Sequence, residues 1–351
     1  MNRTIHARAP LRINDIGGWT DTWFAKHGNV LNLAVDPPVE VQIRVRENEE
    51  KTKERVLVHA ENYGETFSFV PEEPGPASEP HALIRHAVGA FAIPMEHRLE
   101  ISLYSPVPAG ISTGTSASVC VALLGALDRL TGGGRSSGEI ASLAHRVETE
   151  KLGRQSGVQD QICAARGGVS FIRVTAYPEA EVESLSLEPR LWEELNRRLC
   201  LVYLGKPHNS TAIHERVIAE LENGGPPLAR LEEMSRLAGE ARDLLLRGDL
   251  ESYGRVMAEN NECQRGLYGE LISPEADLVI ETARRFGASG WKVNGAGGHG
   301  GSLTVLAGQD DGLRRRMVEA IISLGGGIRV LPASLSIAGL RVWEVGLTPT
   351  Y

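Results

Sequence analysis

The chain lacks the sequence features of several common protein classes. The N-terminal stretch MNRTIHARAPLRIND has no apolar run of the kind found in a signal peptide, and no apolar stretch reaches the length needed to span a membrane. There is no tract rich in lysine or arginine, and the net charge of −8 gives a nucleic-acid partner no general electrostatic support. These absences predict a cytoplasmic protein with no membrane or nucleic-acid partner.

Cysteine is also scarce. The four cysteines lie far apart and form no CxxC or Cys/His pattern that could hold a metal ion. They are typical of unpaired thiols in a reducing compartment. With 351 residues, the chain can fold into two domains and bury a large core without disulfides or structural metal ions. The cysteines are Cys120, Cys163, Cys200 and Cys263.

Strand-like and helix-like segments mix in both halves of the chain. Alternating apolar and charged residues predict a strand at 39–46, and the almost wholly apolar segment 116–130 predicts a buried helix. Because neither half shows strict strand–helix alternation, the sequence predicts an α+β fold with two domains, 1–185 and 186–351. Other predicted strands are 54–60, 98–104, 171–174, 198–205, 302–306 and 339–346, and other predicted helices are 138–151, 310–324 and segments within 212–287.

A glycine-rich segment, PVPAGISTGTSAS at residues 106–118, lies just before the predicted buried helix. Glycines and small residues let a ligand approach the backbone closely, and free N–H groups at a helix N-terminus favour an anion. Ser116 stands where its hydroxyl could reach a metal ion bound to phosphates. The segment matches neither GxGxxG nor the P-loop pattern. A plain strand-to-helix turn with an N-cap serine is the alternative interpretation.

Two carboxylates follow in the segment VETEKLGRQSGVQDQICAARGG, residues 147–168. Glu148 lies late on a predicted amphipathic helix, and Asp160 follows a turn that contains Gly157. Such a pair could supply one metal ligand and one general base. Either carboxylate could instead be a solvated surface group. The apolar run 162–165 beside Asp160 favours burial near a ligand.

Two further segments suit a ligand pocket. APLRINDIGGWTDT, residues 9–22, sets an apolar plate beside hydrogen-bonding groups, as a carbohydrate site requires, although an ordinary turn can have the same pattern. GWKVNGAGGHGGSLTVL, residues 290–306, contains six glycines ahead of a predicted strand, which indicates a tight backbone that side chains would obstruct. So many glycines favour a ligand-binding loop over a functionless turn.

Taken together and in this order, the four segments resemble the GHMP kinases, which include galactokinase, homoserine kinase and mevalonate kinase. APLRINDIGGWTD resembles the first motif of the family, PVPAGISTGTSAS the second, ATP-binding motif, and NGAGGHGG the third. GVQDQ resembles the segment that holds the catalytic aspartate in the sugar-kinase branch. The resemblance implies an N-terminal domain like domain 2 of ribosomal protein S5, a ferredoxin-like C-terminal domain, and an active site between them.

The resemblance also implies a role for each matching residue. Asp160 would deprotonate the acceptor hydroxyl, and Arg12 would hold Asp160 ionised. Ser116 and Glu148 would hold Mg²⁺ beside the ATP phosphates, while Asp21 would bind sugar hydroxyls. The residues implied for nucleotide binding are Pro108, Gly110, Ser112, Thr113, Gly114, Thr115, Ser116 and Ala117. Those implied for substrate binding are Trp19, Thr20, Asp21, Gly157, Gly295 and Gly297.

Within the family, GGWTDT, HGNVLNLAV and LVYLGKPHNS resemble the L-fucokinase branch most. This implies an ATP- and Mg²⁺-dependent kinase that phosphorylates a monosaccharide at its anomeric hydroxyl, and a homodimer is one possible assembly. Two alternatives stay open. One is a kinase for D-glycero-D-manno-heptose 7-phosphate, whose pocket should add cations such as Lys206 or His208. The other is a catalytically silent sensor of sugar and ATP.

Three departures from the family pattern bear on these expectations. Ser112 and Thr113 replace the usual Gly-Leu part of the second motif, so nucleotide contacts can differ. His299 stands where glycine is usual, and PHNST replaces the basic segment expected after the strand at 198–205. We expect His27, like His208 and His299, to be a structural or surface residue.

Overall fold

We describe a computed structural model, which covers residues 3–61, 64–108, 110–207, 215–219 and 227–346. None of the helices in these ranges is both long and apolar enough to cross a membrane. The strands are β1 (Arg3–Ile16), β2 (Gly28–Glu47), β3 (Val56–Ala60), β4 (Glu65–Phe69), β5 (His97–Tyr104), β6 (Val169–Ala176), β7 (Glu179–Leu185), β8 (Leu199–Leu204), β9 (Gly290–Val293), β10 (Ser302–Leu306), β11 (Ile328–Leu331), β12 (Ser334–Leu335) and β13 (Arg341–Gly346). The α-helices are α1 (Ala82–Gly89), α2 (Thr115–Leu130), α3 (Ser137–Arg146), α4 (Gln159–Arg166), α5 (Pro189–Arg198), α6 (Pro227–Arg247), α7 (Leu250–Leu267), α8 (Pro274–Arg285) and α9 (Asp311–Ile322).

The first sheet is built on the long strand β2. The strand order is β13-β1-β2-β5-β3-β4, and the hairpin β6–β7 joins at the N-terminal part of β2. Antiparallel pairing of β1 with β2 is interrupted between Ile13 and Ile16, where the segment that resembles the first motif begins to turn away from the sheet. The buried helix α2 packs on β1 and β2. This packing brings the start of α2 close to the end of β1.

The second sheet has the order β11-β8-β10-β9, with all neighbours antiparallel. The chain passes through it as strand, helices, two strands, helix, strand, which is the ferredoxin-like connection. Helices α8 and α9 cover one face through Val279, Met317 and Ile321. The predicted α+β fold with a ferredoxin-like C-terminal part is confirmed.

A single apolar cluster joins the two sheets. It contains Leu11 and Leu33 from the first sheet, Leu201 and Leu306 from the second, and Met234 from α6. The last strand, β13, returns to pair with β1 at the edge of the first sheet. The division at residues 185/186 therefore stays a prediction, since strands on both sides of it belong to the first sheet.

Most helices and strands lie close to their predicted positions, but the predicted helix 138–151 changes its helix type before it ends. The predicted helix 116–130 is α2, and the predicted strand 302–306 is β10. The segment 138–151, predicted as one helix, is an α-helix only to Arg146 and continues as a π-helical turn, Val147–Lys151. The wider π turn begins at the residue before Glu148, and π turns inside helices often mark functional sites.

Candidate active site

A cavity of about 1000 Å³ is lined mainly by residues between Arg12 and Asp160 and also by Gly295 and Ala296 of the loop after β9, so both glycine-rich segments reach it. The residues implied for catalysis and metal binding, Arg12, Glu148 and Asp160, lie in its wall. All eight residues implied for nucleotide binding line it as well: Pro108, Gly110, Ser112, Thr113, Gly114, Thr115, Ser116 and Ala117. The tertiary fold thus gathers segments that are far apart in the sequence into one site.

The glycine-rich segment 106–118 reaches the cavity as a turn at the N-terminus of α2. Gly114 is the N-cap with a φ of 67°, and no side chain caps the helix there. A Cβ on Gly114 would lie 3.1 Å from Cγ of Asp160, so the backbone passes directly against that carboxyl group. Ser112 also has a positive φ of 62°, where the family usually has glycine. Uncapped N–H groups at such a turn suit an anion such as a triphosphate.

Asp160 and Arg12 form the central ion pair of the site. Nε of Arg12 donates to Oδ1 of Asp160 at 2.8 Å, and Nη2 lies 2.7 Å from the same oxygen. Arg12 is 4% exposed, whereas Asp160, in the first turn of α4, is 28% exposed and faces the cavity. The carboxylate is therefore paired on one side and accessible on the other, as a general base requires.

Arg12 is held by further contacts that sequence reasoning missed. Its Nη1 donates to the backbone oxygen of Ser112 at 3.2 Å and lies 3.2 Å from Oδ1 of Asp15. Asp15 in turn accepts the backbone N–H of Gly295. Burial lowers the pKa of Arg12, but the charges of Asp160 and Asp15 outweigh it, so the net shift is upward. The position of Asp15, just before the paired glycines Gly17 and Gly18, was the only signal in the sequence for these contacts.

Glu148 has the properties of a metal ligand. It is buried, and Nε2 of Gln161 donates to its Oε2 at 3.1 Å, while Oε1 has no hydrogen-bond partner among the described residues. Burial raises the pKa of Glu148 to about 7. A buried carboxylate oxygen left without a donor fits a cation, and Ser116 presents an exposed hydroxyl to the same cavity. These two residues therefore fit a divalent ion that the phosphates would also bind.

Asp21 is another buried carboxylate of the cavity wall, close enough to Asp160 for the two charges to interact. The backbone N–H of Gln159 donates to its Oδ2 at 3.0 Å. A Cβ on Gly157 would lie 2.1 Å from that same oxygen, so only glycine fits there. Burial raises the pKa of Asp21 to about 6, and the charge of Asp160 adds to the increase. Asp21 is fixed in place with its carboxylate at the cavity wall.

Two residues implied for substrate binding are not brought to the cavity. The hydroxyl of Thr20 donates to the backbone oxygens of Gly17 and Asn29, so it stabilises the turn instead. Gly297 packs against Leu271, where a Cβ would lie 2.3 Å from the backbone oxygen. The other four, Trp19, Asp21, Gly157 and Gly295, line the cavity.

The remaining polar candidates lie elsewhere. Lys206 forms an ion pair with Glu275 at 3.1 Å outside the cavity wall. His27 and His299 are exposed and do not line the cavity. His208, with most of the loop 206–211, lies outside the described residues.

The cavity continues into an apolar recess beyond the glycine turn. Its walls come from α1, from β5 and from the segment that precedes α1. The apolar side chains there are Pro80, Leu83, Ile84, Leu103, Tyr104 and, just after β5, Val107, while Glu65 and His81 line the cavity as well. Tyr104 is one of the few exposed large apolar side chains of the described chain. Apolar side chains near a turn with uncapped N–H groups suit the base of a nucleotide.

Comparisons with known proteins agree with this geometry. The family model for the N-terminal domain of GHMP kinases matches residues 82–168, and that for the C-terminal domain matches residues 241–326. A mevalonate kinase from Pyrococcus horikoshii is 30% identical over 291 residues, which are 81% of each chain. A bifunctional fucokinase/GDP-fucose pyrophosphorylase from Arabidopsis thaliana is 26% identical over 336 residues, 90% of this chain and 31% of its own. The chain thus spans about a third of that bifunctional relative.

Among solved structures, a D-glycero-D-manno-heptose 1-phosphate kinase from Bacteroides thetaiotaomicron superimposes with a TM-score of 0.75. It is 20% identical, and the match covers 98% of this chain and 100% of that one. The chain belongs to the GHMP kinase family, whose members are phosphotransferases that use ATP with a divalent metal ion. The family assignment and the two-domain GHMP fold expected from the motifs are confirmed.

Proposed function

We propose that this protein is an ATP-dependent sugar kinase that phosphorylates the anomeric hydroxyl of an uncharged monosaccharide, as an L-fucokinase does. The observation that carries the proposal is the Arg12–Asp160 pair, packed against the glycine turn at Gly114 and lying in the same cavity as Asp21. A base, a phosphate-binding turn and a fixed acceptor of hydroxyl protons thus share one cavity. The fucokinase part of the bifunctional relative's name supports the choice of sugar class.

The proposed reaction uses each of these residues in turn. Asp160 accepts the proton of the sugar hydroxyl, the oxygen bonds to the γ-phosphorus of ATP, and the bond to ADP breaks. Arg12 keeps Asp160 ionised until that proton is taken. Ser116 and Glu148 would hold Mg²⁺, which would neutralise charge on the transferring phosphates. Amide groups at the start of α2 would bind the phosphates, and Asp21 would orient the sugar through its hydroxyls.

The charges of the cavity wall favour a neutral acceptor over a sugar phosphate. Among the described lining residues near Asp160, Arg12 is the cation at the acceptor end, and it is already paired with Asp15 and Asp160. Arg154 lies beside Glu148, to whose backbone oxygen its N–H donates, at the end proposed for the phosphates of ATP. A phosphate already carried by the sugar would meet acidic residues near Asp160, where the described residues offer no unpaired cation, and that is unfavourable.

The decisive experiment is a coupled assay of ADP release over free aldoses and sugar phosphates, with ³¹P NMR to locate the new phosphate. We expect turnover with a free monosaccharide and a product phosphorylated at the anomeric carbon. Turnover with heptose 7-phosphate alone would overturn the choice of a neutral sugar. Binding of sugar and ATP without any turnover would instead support a silent sensor.

The role of Asp160 is tested with Asp160→Asn. Removal of a general base should lower kcat by about 10²- to 10⁴-fold. Binding of Mg²⁺ and ADP, measured by calorimetry, should change little. Asp243→Asn, an exposed carboxylate that contacts Arg242, serves as the matched control and should keep full activity. Activity of Asp160→Asn within a few-fold of the wild type would show that another group takes the proton.

A further inference from the structure

A buried lysine lies behind the ion pair and has no part in the proposed reaction. Lys292, on β9 of the second sheet, is fully buried. Its Nζ donates to Oε1 of Gln264 at 2.6 Å and to the backbone oxygen of Val293. The same Nζ lies 3.8 Å from Oδ1 of Asp15, the carboxylate within ion-pair distance of Lys292 among the described residues. A buried ammonium group is costly unless a charge of opposite sign compensates it.

Asp15 lies between this lysine and the catalytic pair. It is 1% exposed, and both of its oxygens accept the backbone N–H of Gly295, at 3.0 and 3.1 Å. Its Oδ1 lies 3.2 Å from Nη1 of Arg12, the guanidinium that holds Asp160. The four charges therefore alternate in sign along a continuous chain, and their sum is zero.

We propose that Asp15 and Lys292 are a positioning pair. Through Asp15, Lys292 on the second sheet controls how strongly Arg12 interacts with the carboxylate of Asp160. The proposal rests on the role of Asp160 proposed above. Arg12 interacts with two carboxylates, those of Asp15 and Asp160, and Lys292 compensates part of the negative charge of Asp15. Without Lys292, Asp15 should interact more strongly with Arg12, and the interaction between Arg12 and Asp160 should weaken. Without the charge of Asp15, Arg12 should interact with Asp160 alone.

The pair also couples the base to the arrangement of the two sheets. Arg12 and Asp15 lie on β1 of the first sheet, while Lys292 and Gly295 belong to β9 and the glycine-rich loop after it. Separation of the loop from β1 would remove the N–H of Gly295 and the ammonium group of Lys292 from Asp15 together. The Arg12–Asp160 pair therefore has its full balance of charge only when the cavity is assembled from both sheets.

Other charged groups also face these residues and must stay constant in any test. Asp160 acts electrostatically on Asp21 and Glu148, and on the thiol of Cys163 within the same helix. Arg154 adds a positive charge near Glu148. None of these side chains is changed in the variants described next, so differences among the variants report on Asp15 and Lys292.

The test compares the wild type with Lys292→Met, Asp15→Asn and the double variant, which restores a neutral sum. The first measurement is ¹³C NMR of the Asp160 carboxyl carbon against pH in the free protein, assigned by its loss in Asp160→Asn. The second is the acidic limb of the kcat/KM profile. Arg198→Met is the control, because Arg198 is equally buried in the C-terminal half but contacts Glu194, Glu251 and Ser289 instead.

We expect shifts of opposite sign. Lys292→Met should move the NMR midpoint and the acidic limb to higher pH by about 0.5 to 1 unit, and Asp15→Asn should move both to lower pH by a similar amount. The double variant should return close to the wild type. Arg198→Met should lower the melting temperature without moving either midpoint. Asparagine keeps the size and shape of the aspartate side chain, so Asp15→Asn can overturn the pair even if Lys292→Met does not fold: no move to lower pH in that variant would contradict the proposal.

Shifts of the same sign in both single variants, or none, would overturn the positioning pair. The NMR measurement needs no acceptor, so it separates this inference from the proposed function. If the wild type phosphorylates no sugar or sugar phosphate, the proposed function fails, while the opposite NMR shifts still establish the pair. If sugar is phosphorylated but the midpoints do not move, only the positioning pair fails.

Discussion

Substitution of Asp21 by asparagine should make the protein less sensitive to pH between 5 and 8. Asp21 is buried, and its pKa is raised from 3.8 to about 6. Since each pKa unit corresponds to 1.36 kcal/mol, ionisation of this carboxyl costs the folded state about 3 kcal/mol in all. A carboxyl with a raised pKa contributes stability that is complete below the unfolded-state pKa and is lost as pH rises through the folded-state pKa.

Only part of that free energy falls within a convenient range. At pH 5 Asp21 is mostly protonated in the folded state and mostly ionised in the unfolded state, whereas at pH 8 it is ionised in both. Its contribution should therefore grow by about 1.4 kcal/mol from pH 8 to pH 5. Other groups titrate in this range too, Glu148 among them, so the wild type alone would not isolate Asp21.

Asparagine is a suitable replacement because its carbonyl oxygen can still accept the N–H of Gln159. The side-chain Oε1 of Gln159 has no partner among the described residues, so a rotated amide could accept the new NH₂ group. We expect the variant to fold and to lose affinity for sugar. Urea unfolding at pH 5 and pH 8 gives the free energy of unfolding of each protein, and the difference between the two proteins isolates Asp21.

The free energy of unfolding of Asp21→Asn, taken relative to that of the wild type, should rise by about 1.4 kcal/mol when the pH is raised from 5 to 8. If the difference in the free energy of unfolding between the two proteins is the same at both pH values, burial does not raise the pKa of Asp21. If the variant is more stable relative to the wild type at pH 5 than at pH 8, the sign of the effect is opposite to the one expected, and the reasoning is refuted. Urea slopes that differ between the proteins would need correction before the comparison is made.

Two other substitutions test the site. Arg12→Met should destabilise the protein by about 3 kcal/mol in urea, because it leaves two carboxylates without their shared cation. Arg3 lies on β1, like Arg12, and forms a partly exposed ion pair with Glu344 on β13, so Arg3→Met should cost at most about 1 kcal/mol; equal losses for the two variants would contradict the burial argument. Glu148→Gln should abolish most of the Mg²⁺-dependent rise in melting temperature that ADP gives. In the wild type that rise should be larger at pH 8 than at pH 6, because Glu148, with a pKa of about 7, must be ionised to bind the ion; ADP with EDTA is the control, and an unchanged rise in the variant would exclude Glu148 as a ligand.

Local signals predicted the elements and motifs well because each depends on a few neighbouring residues. The apolar run 116–130 predicted a buried helix, which is α2, while the glycines before it were compatible with a ligand-binding turn and with a plain strand-to-helix turn. By contrast, the helix predicted over 138–151 missed the π turn at Glu148, since apolar spacing does not reveal a wider turn. The family resemblance implied that Thr20 binds substrate, and no local pattern showed that its hydroxyl donates to the backbone oxygens of Gly17 and Asn29.

The family, the order of its motifs and the residue types at the site could be predicted from short contiguous segments of the sequence. Which charged groups come into contact, by contrast, depends on how distant segments pack together. Arg12 and Asp160 are 148 residues apart in the chain, and Asp15 meets Lys292 across two sheets. The raised pKa values of Asp21 and Glu148 likewise come from burial by distant segments. Burial and charge pairing depend on everything that packs around a group, and no short segment contains that information.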